Sequence, residues 1–493
     1  GVSAASAGEG DAAISSAVAN VAKRASAGSA KLGRLRSTKE KKPYSVQRLR
    51  CPEGQFVGNI AYSGRMDCRP DDQLAALTAT RDRTVALVAE VDERDLSRTV
   101  DPLLSPLLWD LGHIANFEHR WLLGGDDAAR DGIYNPFAHR RADRGELSML
   151  GRAECFEYMS AVRSRVLDAL PEADPARVEL VIQHEQQHNE TMLQLLRQLD
   201  SYSAPCDLRD GREFRLASTA AGPNWVRFPA GHYLVGSDPE DRPLVYDNEC
   251  RAHRRELHGF DIAMRPVTNG EFIDWIELGG YVKPEWWTPE GWEWLIGQSQ
   301  LGDPSPLAWR RTAAGWEVDD FGRTRPVDPA APVSHISWFE ADAFARASGA
   351  RLPTEFEWEV AASHDPVAGA DGARRRYPWG DEAWVPGEAN LDQLTFGVEP
   401  VACAEGACGP VDMLGQVWEW TSSEFRAYPG FEAFAYAEYS APFFDGGYRV
   451  LRGGSWATRA RSVSNTFRNW DLPERRQIFA GLRLARSVRS PAS

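Results

Sequence analysis

The chain has 493 residues, of which 43% are hydrophobic and 26% are charged, an ordinary globular composition that at about 150 residues per domain predicts roughly three units. Its 56 lysines and arginines against 71 aspartates and glutamates give a formal net charge of −15, which argues against general binding of nucleic acid or anionic membranes. No apolar run approaches the roughly 18 residues of a membrane span, and seven scattered cysteines are too few for a disulfide scaffold. We therefore expect a cytoplasmic protein without nucleic-acid or membrane partners, either a monomer or a small homo-oligomer.

The first 70 residues have the composition of a low-complexity extension. Residues 1–30 are dominated by Ala, Ser and Gly, and residues 31–50 carry eight Lys or Arg against the single Glu40. Such a composition cannot bury enough apolar surface to fold. We predict that residues 1–70 form a basic extension, disordered in part.

A helical pattern follows over residues 71–200. Ser105 before Pro106, and Asp174 before Pro175, are typical of capped helix starts. Glycines at 124 and 125 are typical of a helix end. The pattern predicts a bundle of four helices: Gln73–Val91, Pro106–Leu123, Ala153–Leu170 and Pro175–Leu199.

Residues 201–224 are predicted to be a linker, after which the sequence pattern changes. Residues 225–490 consist of short segments that alternate with Gly, Pro and Asn turns, and several tryptophans lie beside these turns. This pattern is typical of an irregular α+β domain. It includes three predicted short helices: Asn269–Leu278, Trp338–Ser348 and Glu355–Ala362.

Three of the ten histidines lie at positions suited to a metal. His184 and His188 occur in HEQQH, so their side chains emerge one turn apart on one helix face. His113 lies in the second predicted helix, on a face that also carries Trp109 and Phe117. Imidazoles on a buried face are costly unless each is satisfied, and a shared metal satisfies all three. We predict one metal centre built from two helices, for which zinc and Fe(II) both fit.

HEQQH also matches the HExxH pattern of zinc hydrolases, in which the glutamate is the general base. Here that residue is Glu185, which helical geometry turns away from the histidine pair, and no HxxGxxH extension follows. A zinc hydrolase that uses Glu185 stays an alternative, as does a non-catalytic binding module with structural histidines.

Several strings of this chain occur together in one known family. SPLLWDLGHIANFEHRWLL and HEQQHNETMLQ resemble the DinB-like half of the ergothioneine-biosynthetic sulfoxide synthases. Six later strings resemble the C-type-lectin-like domain that this family shares with the formylglycine-generating enzymes: GGYVKPEWW, RLPTEFEWE, RYPWGD, MLGQVWEWT, YRVLRGGSW and RNWDLPERRQIFAGLRLA. The resemblance covers about residues 72–488. It implies a multidomain fold of α and α+β class, with an N-terminal DinB-like four-helix bundle and a C-terminal C-type-lectin-like (formylglycine-generating-enzyme-like) domain.

The formylglycine-generating enzymes themselves use a cysteine pair shortly after a GGSW-type motif. In this chain Ala457 and Thr458 follow GGSW, and no cysteine occurs after Cys408. That chemistry is therefore absent, and we expect activity to come from the metal of the helical half.

The resemblance implies that His113, His184 and His188 bind Fe(II) and that O2 is a co-substrate. This family joins the sulfur of a cysteine-containing thiol to C2 of the imidazole of hercynine, Nα-trimethylhistidine, and leaves a sulfoxide. Tyr436, in YAEYSAPFF, matches the family's catalytic tyrosine, which donates a proton during oxygen reduction. Four residues match the hercynine pocket of the family: Gln187, Tyr439, Asn469 and Trp470.

Arg141, Asp471 and Arg475 match the positions that bind γ-glutamylcysteine in the actinobacterial-type branch of the family. Two arginines and one aspartate complement the two carboxylates and one ammonium of that dipeptide. We therefore expect γ-glutamylcysteine as the thiol, with free cysteine or a selenosugar as the alternative donors. A structural Ca²⁺, as in some relatives of the lectin-like fold, has three candidate ligands here: Asp238, Glu240 and Asp241.

Overall fold

The structure is a computed structural model that describes residues 70–125, 127–203, 224–300, 302, 304–401, 409–434 and 438–488. Residues 1–69 of the predicted extension lie outside the described residues, as do residues 204–223 of the predicted linker. The described chain is helical up to Leu196, and its first strand begins at Trp225.

The first half of the chain is a helical bundle that contains the first six of the ten described α-helices. Within the described residues there are ten α-helices: α1 (Pro70–Val88), α2 (Glu93–Ser97), α3 (Leu107–Glu118), α4 (Ala128–Tyr134), α5 (Arg152–Ala169), α6 (Pro175–Leu196), α7 (Asn269–Glu277), α8 (Pro289–Ser299), α9 (Trp338–Ala347) and α10 (Glu355–Ser363). Helix α1 packs on α6, and α3 packs on both α5 and α6, which confirms the predicted four-helix bundle. Every residue of α3 is buried, so this helix lies at the centre of the bundle. None of the described helices has the length and apolarity that a membrane span requires.

One predicted helix start is confirmed and another is wrong. At α6 the Asp174 carboxylate accepts the amide hydrogen of Ala176, as the predicted cap requires. Helix α3 begins at Leu107, and Ser105 does not cap it. Instead the Ser105 hydroxyl accepts a hydrogen bond from Arg144 Nη1 at 2.7 Å. The local pattern predicted that this hydroxyl caps the helix, but it binds a buried guanidinium from a distant part of the chain instead.

The end of this helix follows the prediction. After Glu118 the chain continues as a π-helical turn over His119–Leu123 and then leaves the helix at Gly124. The φ of Gly124 is 68°, a left-handed conformation that favours glycine.

Gly112 allows the connection after α3 to approach that helix closely. A Cβ atom at Gly112 would lie 2.2 Å from the ring of Tyr134, the last residue of α4. Only glycine therefore lets Tyr134 lie against α3, where its carbonyl reaches His113.

The second half is built from short strands and helices around a core rich in tryptophan. Within the described residues there are twelve strands: β1 (Trp225–Phe228), β2 (Gly231–Val235), β3 (His253–Leu257), β4 (Phe260–Ala263), β5 (Trp309–Thr312), β6 (Gly315–Asp320), β7 (Arg323–Pro326), β8 (Trp418–Glu424), β9 (Arg449–Arg452), β10 (Asn469–Asp471), β11 (Ala480–Leu482) and β12 (Ala485–Ser487). They form four small sheets with the orders β1-β4-β12, β10-β9-β8-β11, β2-β3 and β5-β6-β7. Strands β8 and β11 are parallel, and all other neighbours are antiparallel. This is the mixed α+β half that the sequence predicts.

The three short helices predicted in this half are present as α7, α9 and α10, each with its predicted first residue. Thr268, Ser337 and Thr354 precede them, and each forms a capping box with the glutamate three residues later. Helices α2, α4 and α8 and the sheet β5-β6-β7 were not predicted, because short elements carry little periodicity.

Helix α6 joins the two halves. The Glu190 carboxylate of α6 accepts three hydrogen bonds from the second half, from Trp418 Nε1, Ser455 Oγ and Thr458 Oγ1, each at 2.7 Å. Ser455 belongs to the GGSW motif, so one role of that motif here is to bind the helix that carries the histidine pair.

Candidate metal centre

The three predicted histidines meet inside the bundle. His113 comes from α3, and His184 and His188 come from α6. His113 Nε2 lies 3.2 Å from His184 Nε2, and the ring centroids of the three pairs are 5.0, 4.8 and 4.6 Å apart. One ligand atom from each ring lies within 4.8 Å of the others, and among the described residues this is the one such group of His, Cys, Asp and Glu. The α6 pair is thus completed by a residue more than 70 positions earlier in the chain.

Two of these imidazoles are oriented by acceptors on their far side. His113 Nδ1 lies 2.8 Å from the carbonyl oxygen of Tyr134, and His188 Nδ1 lies 3.2 Å from Asp110 Oδ1. In each ring the proton therefore belongs on Nδ1, which leaves the Nε2 lone pair free. Metal-binding histidines commonly use this arrangement.

The environment of His113 and His184 favours their neutral form. His113 and His184 are 5% and 8% exposed, and desolvation together with the neighbouring His188 lowers the pKa of both well below its usual value. Phe117 stacks on His184 at a centroid distance of 3.6 Å, and Trp109 stacks on His113 at 4.8 Å. Aromatic rings therefore exclude water from one face of each of these two imidazoles.

This arrangement fits a metal ion. His184 Nδ1 is buried without a hydrogen-bond partner, so this ring is less well satisfied by protein contacts than His113 is. Two imidazole nitrogens that share a metal at about 2.1 Å are separated by roughly 3 Å, close to the 3.2 Å between the facing nitrogens here. Three neutral nitrogen donors suit zinc or Fe(II).

Glu185 is bound on the other side of α6. Arg81 Nε donates to its Oε1 at 2.8 Å, Arg163 Nη2 donates to its Oε2 at 2.9 Å, and the Thr84 hydroxyl also donates to Oε1. Glu118 contacts the same two arginines. Burial alone would raise the pKa of Glu185, but the two guanidinium groups hold it below its usual value. A carboxylate held in this way is unsuited to be the base of a HExxH hydrolase.

Three of the residues that match the hercynine pocket lie together where the two halves meet. Gln187 Nε2 donates to Tyr439 Oη at 3.2 Å, and the Tyr439 ring meets Trp470 edge to face at 5.3 Å. Tyr246, which the sequence analysis missed, accepts a hydrogen bond from Gln187 Nε2 at 2.9 Å and stacks on Tyr439. No motif marks Tyr246, which lies 59 positions from Gln187. Asn469 precedes Trp470 on β10, and its Oδ1 accepts the Trp470 amide hydrogen.

The residues that match the thiol site lie in one electrostatic environment. Arg475 Nη1 is 3.6 Å from Asp471 Oδ2, and Arg475 Nη2 donates to Gln194 Oε1 at 3.1 Å. Burial lowers the pKa of Arg475, Asp471 raises it, and Arg141 lowers it further. Arg141 is exposed and contacts the carbonyl of Leu103.

Two further residues border this charged group. Arg144, three positions after Arg141, is buried; its guanidinium lies 3.6 Å over the Trp109 ring, and its Nε has no hydrogen-bond partner. Burial raises the pKa of Tyr448, which also lies in the fields of Asp471 and Arg141. The sequence offered a signal for Arg144, since AHRRADR contains three arginines, but the pattern could not tell which of them is buried.

Two further predictions concern Tyr436 and the acidic loop. Tyr436 lies outside the described residues. In the acidic loop, Asp238 Oδ1 accepts the amide hydrogen of Ala252, and Asp241 Oδ2 accepts that of Asp238. Because these carboxylates bind the backbone of their own loop and form no ligand group with Glu240 in the described structure, we assign no Ca²⁺ site to them.

Family models match both halves of the chain. The model described as "Sulfatase-modifying factor enzyme 1-like domain" matches residues 213–488, more than half of the chain. The model described as "DinB superfamily" matches residues 76–199. The two matches correspond to the α+β half and to the bundle.

Three curated proteins are similar to this chain. A hercynine oxygenase of Mycobacterium tuberculosis is 44% identical over 439 residues, covering 84% of this chain and 99% of that protein. A hercynine oxygenase of Mycolicibacterium thermoresistibile is 43% identical over 438 residues, covering 84% and 94%. A formylglycine-generating enzyme of Streptomyces coelicolor is 32% identical over 259 residues, which cover 47% of this chain and 78% of that protein.

Proposed function

The chain belongs to the hercynine oxygenase family and is an oxidoreductase, and from this premise we propose that it is an Fe(II)- and O2-dependent sulfoxide synthase of ergothioneine biosynthesis. The reaction joins C2 of the hercynine imidazole to the thiol sulfur of γ-glutamylcysteine. Forming the C–S bond and oxidising the sulfur release four electrons, which reduce one O2, so that one oxygen atom enters the sulfoxide and the other leaves as water. The observation that carries the proposal is the meeting of three imidazoles, two of which lie on α6, the helix that also supplies Gln187.

His113, His184 and His188 are proposed as the metal ligands. When bound there, Fe(II) would supply the redox chemistry of O2 and a positive charge that favours the thiolate form of the substrate. The Tyr134 carbonyl and Asp110 lie against Nδ1 of the first and last of these imidazoles and orient the two rings.

Gln187, Tyr439, Asn469 and Trp470 are proposed to bind hercynine. Aromatic faces attract a quaternary ammonium group, and Tyr439 and Trp470 already meet at 5.3 Å. Amide hydrogens of Gln187 and Asn469 suit the carboxylate of the substrate. Because Gln187 directly precedes His188 in α6, a substrate bound by Gln187 would lie near the proposed metal ligands.

Arg141, Asp471 and Arg475 are proposed to bind γ-glutamylcysteine. Two cations and one anion match the charges of that dipeptide in number and sign. Arg144 adds a buried guanidinium with an unpartnered Nε beside the same group. A donor without charged groups would not need two arginines and an aspartate, so these charges favour the dipeptide over a selenosugar.

Tyr436 is proposed as the proton donor. A phenol with an ordinary pKa of about 10 is protonated at neutral pH and can donate its proton during oxygen reduction. We expect Tyr436 to affect sulfoxide formation rather than substrate affinity.

The proposal is tested with purified protein loaded anaerobically with Fe(II). Hercynine is supplied with γ-glutamylcysteine, cysteine or a selenosugar, and O2 uptake and product mass are measured. We expect one O2 per sulfoxide and the highest kcat/KM with γ-glutamylcysteine.

The alternatives give different results in the same assay. Faster turnover with cysteine or the selenosugar would overturn the choice of donor, whereas hydrolysis without O2 uptake in zinc-loaded protein would overturn the oxygenase chemistry. If no combination of metal and donor gave turnover, the remaining interpretation would be a non-catalytic binding module in which the histidines are structural.

A further inference from the structure

Tyr246 contacts both parts of the substrate pocket. Its hydroxyl oxygen accepts a hydrogen bond from Gln187 Nε2 at 2.9 Å. Its ring stacks on the ring of Tyr439 at a centroid distance of 4.4 Å, with 17° between the planes. One side chain thus touches a pocket residue of α6 and a pocket residue of the second half.

The two residues after Tyr246 bind the residue after Tyr439. Asn248 Nδ2 donates to Ser440 Oγ at 2.9 Å, and the Ser440 hydroxyl donates to Asp247 Oδ1. The backbone at Ser440 is therefore tied to the same segment, which limits how far the Tyr439 ring can move.

The segment that carries Tyr246 is itself held firmly. Tyr246 is 5% exposed, and its amide donates to Glu249 Oε1 at 3.1 Å. Glu249 is fully buried and binds Arg242 and the Thr466 hydroxyl. Burial raises the pKa of the Tyr246 phenol well above its usual value, so the hydroxyl is un-ionised at neutral pH. These contacts keep the hydroxyl oxygen of Tyr246 at a defined point.

A fixed acceptor matters for Gln187 because a carboxamide can rotate to present either its oxygen or its nitrogen. Without Tyr246 Oη, the hydrogen bonds described for the Gln187 side chain are the longer ones to Tyr439, at 3.2 and 3.5 Å. The orientation of the amide would then depend on these two longer hydrogen bonds.

We propose that Tyr246 is a positioning residue of the substrate pocket: its hydroxyl fixes the Gln187 amide and its ring fixes the plane of Tyr439. Because it is buried behind these two residues, Tyr246 acts through them rather than on the substrate. That the substrate is hercynine rests on the proposed function, whereas the positioning role rests on the contacts alone.

The test compares Tyr246→Phe with Tyr233→Phe. Tyr233 is also fully buried in the second half and also loses one hydrogen bond, to the Pro229 carbonyl at 2.8 Å, but it has no described contact with the pocket. For both Fe(II)-loaded variants and the unchanged protein, KM and kcat are measured for hercynine and for γ-glutamylcysteine. Crystal structures of the three proteins without substrate are determined in parallel.

For Tyr246→Phe we expect the KM of hercynine to rise about five- to tenfold, as the loss of one hydrogen bond allows, with kcat and the KM of the thiol within twofold. Tyr233→Phe should change neither KM. Equal kinetics in Tyr246→Phe and the unchanged protein, or a proportional loss for both substrates, would overturn the positioning role.

Failure of the proposed function has a different signature. If the unchanged protein does not turn hercynine over, the crystal structures decide the positioning role by themselves. A rotated Gln187 amide or a shifted Tyr439 ring in Tyr246→Phe alone supports the role, and an unchanged pocket overturns it.

Discussion

Of the three clustered imidazoles, that of His184 is the one whose Nδ1 has no hydrogen bond to the protein. His113 donates to a carbonyl and His188 to a carboxylate, whereas His184 Nδ1 is buried with no partner. A buried polar atom without a hydrogen bond costs about 1–3 kcal/mol. We infer that this ring is retained for metal binding rather than for stability.

Replacing His184 should therefore separate metal binding from stability. We expect His184→Gln to lose most of its bound Fe(II) after anaerobic loading, while the metal-free protein unfolds at the same temperature or higher. Iron content by colorimetric assay and the unfolding temperature are the measurements. His139→Gln, which changes a half-buried histidine of the same half outside the cluster, is the control and should keep its iron. Full iron content in His184→Gln would contradict the proposed ligand set.

Arg141 is tested against its neighbour Arg140, since both are exposed and only Arg141 lies in the field of Arg475. We expect Arg141→Ala to raise the KM of γ-glutamylcysteine about tenfold through loss of a charge-assisted hydrogen bond, and to leave the KM of hercynine unchanged. Arg140→Ala should change neither constant in steady-state kinetics. An equal effect of Arg141→Ala on both substrates would contradict the proposed division of the pocket.

The ionisation of Asp247 should make the free energy of unfolding depend on pH. Burial raises the pKa of Asp247 from 3.8 to about 6. Below pH 4 the carboxyl is protonated in both states, but between about pH 4 and pH 6 it ionises more readily in the unfolded chain. The native state therefore loses up to about 3 kcal/mol from this group as pH rises through that window.

Asp247→Asn should remove this loss. We expect the metal-free variant to be more stable than the unchanged protein at pH 7 and equally stable at about pH 3, as measured by denaturant unfolding across this range. Asp274→Asn, at an exposed carboxylate, is the control. A pH profile of Asp247→Asn parallel to that of the unchanged protein would show that another group is responsible.

At the scale of elements, the bundle is held by a buried ionic network that joins its four long helices. Arg81 of α1 and Arg163 of α5 both bind Glu118 of α3 and Glu185 of α6. All four long helices thus contribute one charged residue, and the two positive and two negative charges balance. Removing one member leaves a buried charge uncompensated, which costs more than the intact network contributes.

Arg163→Met tests this network without touching the histidines. We expect the free energy of unfolding to fall by about 3–5 kcal/mol, because Glu118 and Glu185 would then share one arginine. Arg165→Met changes an exposed arginine of the same helix and should alter stability by less than about 0.5 kcal/mol. Denaturant unfolding of both variants is the measurement, and equal stabilities would refute the importance of the network.

At the scale of the whole molecule, the proposed substrate pocket combines residues from both halves. Gln187 belongs to the bundle, and Tyr246, Tyr439 and Trp470 belong to the second half. Glu190, on the same helix as Gln187, binds the second half through three hydrogen bonds. We therefore expect a change at Glu190 to affect the pocket more than it affects metal binding.

We predict that Glu190→Ala binds iron normally but loses sulfoxide formation, because three buried donors lose their acceptor and the halves separate at the pocket. The unfolding temperature should also fall, since each unsatisfied donor costs about 1–3 kcal/mol. Glu172→Ala, at an exposed site before α6, is the control. Iron content, product yield and thermal unfolding are measured together, and full activity in Glu190→Ala would contradict the prediction.

The sequence by itself determined the features that depend on neighbours within a few positions. The spacing of His184 and His188 placed both on one face of α6, and Asp174 capped that helix as predicted. The capping boxes of the second half and the glycine end at Gly124 are local in the same sense. Local backbone geometry is enough to decide such features.

Only the tertiary structure decided which distant groups meet. His113 joins the histidine pair because Gly112 lets Tyr134 approach α3 and orient it, and Ser105 loses its predicted role because Arg144 reaches its hydroxyl. Tyr246 reaches Gln187 across 59 positions without any periodic signal. Such contacts depend on how whole elements pack, and packing is fixed by the shapes of many side chains together rather than by any short pattern.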